Sequence, residues 1–447
     1  MLGPRITALG AGLVALAAAG PAFSQEEGGL RLTFGIEERL ETSENLALAD
    51  PSSGSLTSST TTLSFGLVSE TRTEVLRFGL SGGVRLEAGD AAADPDLFGH
   101  PSLDLFYSRS GANSALSLSA SAQRNLLATA APTPENPDPF GSGSQTVYAA
   151  NATFDLGQTG PIGLTLQADR SGTTYDSAEA SFVDNRTLAV SATAHLRFPA
   201  YGEMRLIAAQ SRYEEGNQDL QRDSHSLKLG WALALSPTTA LDAELGYERL
   251  DTMEFGVLTD RTEGLVGKAA LTWELANGTA GLSIAQTNDP GAGRVTVKAD
   301  RFLDLGNQTV TASLGATQQA GSTAAVIGAL KWTYAADFGD FSVDLGRSVT
   351  ADDIGIAVTT DHLTLDLNRP LSPVSNLGLS VTASRIDDSS ANLVDRMEAT
   401  ARYSRELGSD WAMNLGATFQ SRDEATVGSA DSRLLFISVS RSFDWRP

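Results

Sequence analysis

Only four lysines occur in this chain: Lys228, Lys268, Lys298 and Lys331. Each stands inside an apolar alternation, the first between Leu227 and Leu229, the third between Val297 and Ala299. In a β-strand such neighbours point to one face and the lysine to the other. Read against the turn signals, the four fall on alternate strands, each roughly six to eight residues before a tight turn. Alternate strands lie about 9–10 Å apart, so the pattern predicts a ladder of ammonium groups on one wall. Asp242, Glu244, Glu248, Asp300 and Asp344 share that face, as do His195 and Arg197. Two kinds of chemistry suit the set. A hydrated ladder attracts anions or binds sugar hydroxyls; in a packed interior the same lysines neutralise the carboxylates. Desolvated like charges lose their protons, so an unpaired ladder requires water.

The stretch WALALSPTTALDAELGYERLD, Trp231 to Asp251, shows what must position these residues. Trp231, Leu233 and Leu235 alternate up to a Ser-Pro-Thr-Thr turn, and Leu241, Ala243, Leu245 and Tyr247 alternate after it. Period-two patterning on both sides of a turn is a pair of antiparallel strands. The unit recurs from Leu30 to the C-terminus. Short turns are expected at 157–160, 199–202, 236–239, 276–278, 306–307, 337–340, 370–376 and 407–409, rich in Gly, Asn and Pro. Acidic, polar connections alternate with them at 213–223, 251–260, 349–361, 386–395 and 422–431. Strict alternation of short turns and long loops predicts a closed antiparallel up-and-down transmembrane β-barrel, all-β, of about 22 strands within a range of 16 to 24.

Bulk properties agree. The chain has 447 residues, yet no linker divides it, and residues 25–447 read as a single barrel domain. Residues 1–24 read as a secretory signal peptide: Arg5, an apolar run, then Ala22-Phe23-Ser24. No later apolar run approaches the roughly 20 residues of a membrane helix. A net charge of −22 disfavours nucleic acid, and the lack of cysteine excludes disulfides and thiolate sites. No cofactor or metal spacing stands out. All five tryptophans, Trp231, Trp273, Trp332, Trp411 and Trp445, lie near a short turn or the C-terminus, as a membrane-interface girdle requires. Leucines then face lipid and carboxylates face a water-filled lumen.

The alternating strands and the last strand, Arg433 to Trp445, resemble Gram-negative outer-membrane β-barrels of the porin-like type. The resemblance implies an outer-membrane location and contact with outer-membrane lipids, lipopolysaccharide and, during biogenesis, the barrel assembly machinery. It also implies passive passage of small hydrophilic solutes, anions or sugars among them. The chain departs from it by ending in Arg446-Pro447 after the aromatic. The alternative is a non-conducting barrel of a structural or polysaccharide-export kind that binds lipopolysaccharide or a partner. Oligomeric state is left open.

Three further features bear on function. Arg124, Arg170, Arg186, Arg249, Arg261, Arg347, Arg385 and Arg433 fall at outward parity on the long-loop edge. They suit lipopolysaccharide phosphates, or ion pairs with nearby acids, such as Arg170 with Asp176 and Arg385 with Asp387 and Asp388. The connection around 132–143 resembles the third loop of porins, which enters the lumen, and makes Glu135, Asp138 and Phe140 constriction candidates. Finally, Asp361-His362 with Asp387-Asp388 resembles the acidic and Asp-His pairs of barrel proteases, but those barrels have far fewer strands. Ser224-His225-Ser226 are neighbours along a strand and face opposite ways, so a channel rather than an enzyme is expected. Strand signals from Leu30 onward leave no expected room for an N-terminal plug, and inward Ser117, Ser119, Ser121, Thr309, Thr311 and Ser313 suit an open lumen.

Overall fold

Hydrocarbon offers no partner to a backbone N–H or C=O, so a chain crossing it in strands must pair every strand on both sides. The computed structural model describes residues 29–90, 96–127, 143–177, 182–199, 202–216, 219–351, 357–387, 393–425 and 428–447. They form one 22-stranded sheet in which each strand pairs antiparallel with the next. The ring closes where β1 (Gly29–Glu44) pairs with β22 (Gly428–Trp445), from Leu32↔Trp445 to Glu44↔Arg433. The strand number is therefore the expected one. The signal-peptide region and the expected constriction residues Glu135, Asp138 and Phe140 lie outside the described residues.

Period two splits the chain into two surfaces. Large apolar side chains are mostly on the outside, where they are exposed: Leu229, Leu245, Leu265, Leu282 and Leu314 are among them. The tryptophans face outward at the short-turn end, where Trp332 stacks with Tyr334 and meets Phe341 edge-on. Apolar side chains are scarce inside. Two small clusters, Leu46 with Leu56 and Val358 with Ile386 and Val394, sit at the long-loop end.

The short turns fall where expected. Ser236 ends β10 (Leu220–Ser236) and Thr239 begins β11 (Thr239–Glu254); Leu275 ends β12 (Val257–Leu275) and Gly278 begins the next strand. The long loops do not. Segment 251–260, expected as a loop, is strand except at Phe255-Gly256, because β11 and β12 run on beyond the apolar band. Likewise the expected 213–223 loop overlaps strand at both ends: β9 (Gly202–Glu215) runs on to Glu215 and β10 begins at Leu220. Acidic residues there end the lipid contact and leave backbone pairing intact. The expected turn at 370–376 is also tighter: β18 (Ala357–Ser372) continues past Pro370 through a register shift. Irregularity gathers between β3 (Glu74–Gly89) and β4 (Asp96–Ser110), where two register shifts flank Gly83 and His100 takes a positive φ beside Pro101. Proline removes a ladder donor, so the pairing bulges there.

Candidate functional site

The four lysines lie on β10, β12, β14 (Ala292–Asp304) and β16 (Ala325–Ala336), all facing the lumen. Their register is stepped. Lys228 pairs with Gly246, whereas Glu244 pairs with Lys268. Lys298 pairs with Ser283, two places along from Ala285, the partner of Lys268. The steps run with the stagger a closed barrel imposes, so the ladder follows the wall at nearly constant distance from the short turns.

The lysines are not equivalent. Lys268 lies 3.2 Å from Glu244, and Arg205 bridges Asp242 at 2.9 Å and Glu244 at 3.2 Å. Lys228, Lys298 and Lys331 make no ion pair with the described residues. Lys331 stands across from Asp344, but that carboxylate meets His362 Nε2 at 3.3 Å. Glu248 accepts a hydrogen bond from Ser224 at 2.7 Å. Asp366 accepts one from Ser380 at 2.7 Å and one from Ser342 at 3.1 Å. Hydroxyls, as much as cations, hold the lumenal carboxylates.

Glycines on neighbouring strands let these side chains lie flat on the wall. A Cβ at Gly281 would stand 2.5 Å from the Asp300 carboxylate, one at Gly246 2.6 Å from the Lys228 stem, and one at Gly346 2.5 Å from the His362 ring. Sequence reasoning missed this, although the glycines share the inward parity of the charges they underlie. It also missed Arg205 and Glu203, which organise the wall beside β8 (Asn185–Phe198). His195 Nδ1 meets Glu203 at 2.9 Å, and its Nε2 lies 3.1 Å from the Thr165 hydroxyl, which donates to Asp155 at 2.6 Å. Arg197 donates to Glu203 at 2.9 Å and to the carbonyls of Gly157 at 2.7 Å and Gly160 at 3.1 Å. His195 and Arg197 thus fasten the short-turn mouth and are drawn away from the lysine ladder. Across the lumen, Phe436 lies against Gly416 with Arg39 stacked 3.7 Å from its centroid.

At the outer rim six of the eight arginines are paired. Arg249 and Arg261 share Asp251 at 2.6 and 2.7 Å. Arg347 holds Asp361 and Arg385 holds Asp395, each at 2.6 Å; Arg186 holds Glu214, and Arg124 reaches Asp176 at 3.4 Å. The expected partners differ. Asp176 serves Arg124 rather than Arg170, and Arg385 takes Asp395 because that residue lies directly opposite on the same face, while Asp387 is one alternation further along. Asp388 lies outside the described residues. Arg170 and Arg433 make no ion pair with the described residues. Asp361 and His362 separate: one faces out to Arg347, the other in to Asp344.

No protein-family model and no curated protein matches the chain. Solved structures do. The siderophore receptor PirA from Pseudomonas aeruginosa is 11% identical with a TM-score of 0.54, over 94% of this chain and 81% of that one. The ferric-catecholate import receptor Fiu from E. coli K12 is 11% identical with a TM-score of 0.57, over 94% and 82%. The FrpB iron transporter from Neisseria meningitidis in its apoprotein form is 10% identical with a TM-score of 0.61, over 92% and 81%. At such identity the likeness is one of fold. With the apolar outer band, it makes the chain a Gram-negative outer-membrane β-barrel, located in the bacterial outer membrane.

The network at the short-turn mouth gives a direct test. Arg197→Ala leaves the Gly160 carbonyl and part of Glu203 without a donor and takes one of two donors from the Gly157 carbonyl, which keeps the Gly160 N–H. Urea unfolding should show a loss of about 1–3 kcal/mol. Lys228→Ala breaks no ion pair and should leave the unfolding midpoint unchanged.

Proposed function

We propose that this barrel is a passive channel for small hydrophilic solutes whose basic ladder favours anions. The observation that carries the reading is the set of lumenal lysines with no ion pair among the described residues, Lys228, Lys298 and Lys331, aligned on alternate strands. A cation already neutralised by a carboxylate adds little to the field in a pore; one facing water adds its full charge. Charged groups laid flat over glycines, and a wall of Ser and Thr side chains, favour an open passage over a packed interior. The structural neighbours give general support: the proteins they represent are receptors and transporters for iron compounds, so barrels of this architecture enclose solute pathways. On this reading the barrel transports rather than catalyses.

A second part of the proposal concerns the rim. Arg170 and Arg433 face outward with no carboxylate partner among the described residues, which leaves them available to lipopolysaccharide phosphates, while the six paired arginines stay committed to their acids.

Replacing Lys228, Lys298 and Lys331 together with glutamate should move the reversal potential in a salt gradient toward cation preference, a several-fold change in the permeability ratio. Lys268→Glu alone should change it far less; an unaltered potential in the triple variant would rule out the ladder. For the rim, Arg170→Ser with Arg433→Ser should lower the phosphate that copurifies with the detergent-extracted barrel. Arg347→Ser should not, and equal lipid content in all three proteins would contradict lipid binding at these arginines.

A further inference from the structure

Among the described residues, the lipid-facing surface carries one carboxylate at mid-depth, where hydrocarbon offers it no partner. On β1 the outward residues run Phe34, Ile36, Glu38, Leu40, Thr42 and Glu44. Phe34 pairs with Phe443 in the aromatic row near the short-turn end, and Glu44 pairs with Arg433 at the opposite rim. Glu38 lies between them, roughly 10 Å above the aromatic row for a strand rising about 3.3 Å per residue at a tilt near 40°. That is mid-depth in the bilayer. Flanking Ile36 and Leu40 are exposed outward, and Val439 and Val84 occupy the same level on β22 and β3.

Glu38 is held by two hydroxyls of β2 (Ser55–Glu70). Ser59 donates to its Oε1 and Thr61 to its Oε2, each at 2.5 Å. Above them Thr57 donates to Thr42 at 3.3 Å. The result is a narrow outward strip of one carboxylate and four hydroxyls, bounded by Leu63, Leu80 and Leu86. Acyl chains offer it nothing, and polar groups facing lipid cost stability in a manner that grows toward the midplane. Within membranes, hydroxyl and carboxyl side chains are satisfied by docking against other polar side chains, and small residues allow the close approach.

We infer that this strip on β1–β2 is the interface between two copies of the chain. The strip is self-complementary: it holds both acceptors and rotatable hydroxyl donors at one level, so each hydroxyl can turn from its own Glu38 to the one opposite. A twofold axis along the membrane normal brings identical levels together, and a single patch of this kind closes as a dimer and no further. Ser59, together with Gly82 on β3, keeps the surface low enough for contact.

The chain has no native cysteine, so single cysteines report proximity cleanly. In native outer membranes, Leu40→Cys and Leu63→Cys should give a species of twice the monomer mass with a bismaleimide of about 10 Å span. Leu245→Cys, on the lipid face of β11, should not. Glu38→Leu should keep the heat-modifiable barrel yet weaken self-association in mild detergent about tenfold or more, as measured by native mass spectrometry. If Glu38→Leu does not fold, Ser59→Ala with Thr61→Ala carries the same expectation. Monomer at every concentration with the native sequence overturns the inference. So does cross-linking at Leu40 no greater than at Leu245, or cross-linking there to a different protein. Conductance plays no part in the test, so it stands or falls apart from the channel proposal.

Discussion

Every other property of this molecule depends on the pairing of backbone N–H and C=O groups where water is absent. A sheet in hydrocarbon has no tolerable edge, so the first strand must find the last, and Leu32 to Glu44 do so against Trp445 to Arg433. Closure then fixes parity. Each residue faces either lipid or lumen, and a one-place slip would exchange the two. That is why Leu245 and Glu244 can be neighbours in sequence and belong to different solvents.

Much of this is legible in the chain because period two is short and the lipid face is strict. Trp231 to Tyr247 shows two strands, their turn and their outward face at a glance, and the alternate-strand placement of the lysines follows from the same count. Less legible is where lipid contact ends. Residues 251–260 look like a loop because they are acidic, yet a strand above the bilayer has no need of apolar side chains. The β3–β4 pairing is obscured by Pro101 and His100, which break the alternation locally. Ion-pair partners are the hardest to foresee. Arg385 finds Asp395 through register across two strands, a relation invisible without the exact pairing.

The inner wall shows how charge and space are reconciled. A long charged side chain projecting to the axis would fill the lumen; one lying over a glycine of the adjacent strand leaves it clear. Lys228 over Gly246 and Asp300 over Gly281 are arranged in this way. Pairing is uneven along the wall. Arg205, Asp242, Glu244 and Lys268 form an ion-paired knot beside lysines that make no ion pair with the described residues. The outer rim uses the opposite rule, with Arg347, Asp361, Arg385 and Asp395 alternating in sign across successive strands. Exposed pairs of that kind contribute little to stability one by one, but they hold the charge outside the apolar band.

The most direct measurement is the single-channel conductance of the detergent-refolded barrel in a planar bilayer with a salt gradient across it. The account predicts large, stable steps and a reversal potential on the anion side. A barrel that inserts and resists SDS until boiled, yet passes no current, would contradict it.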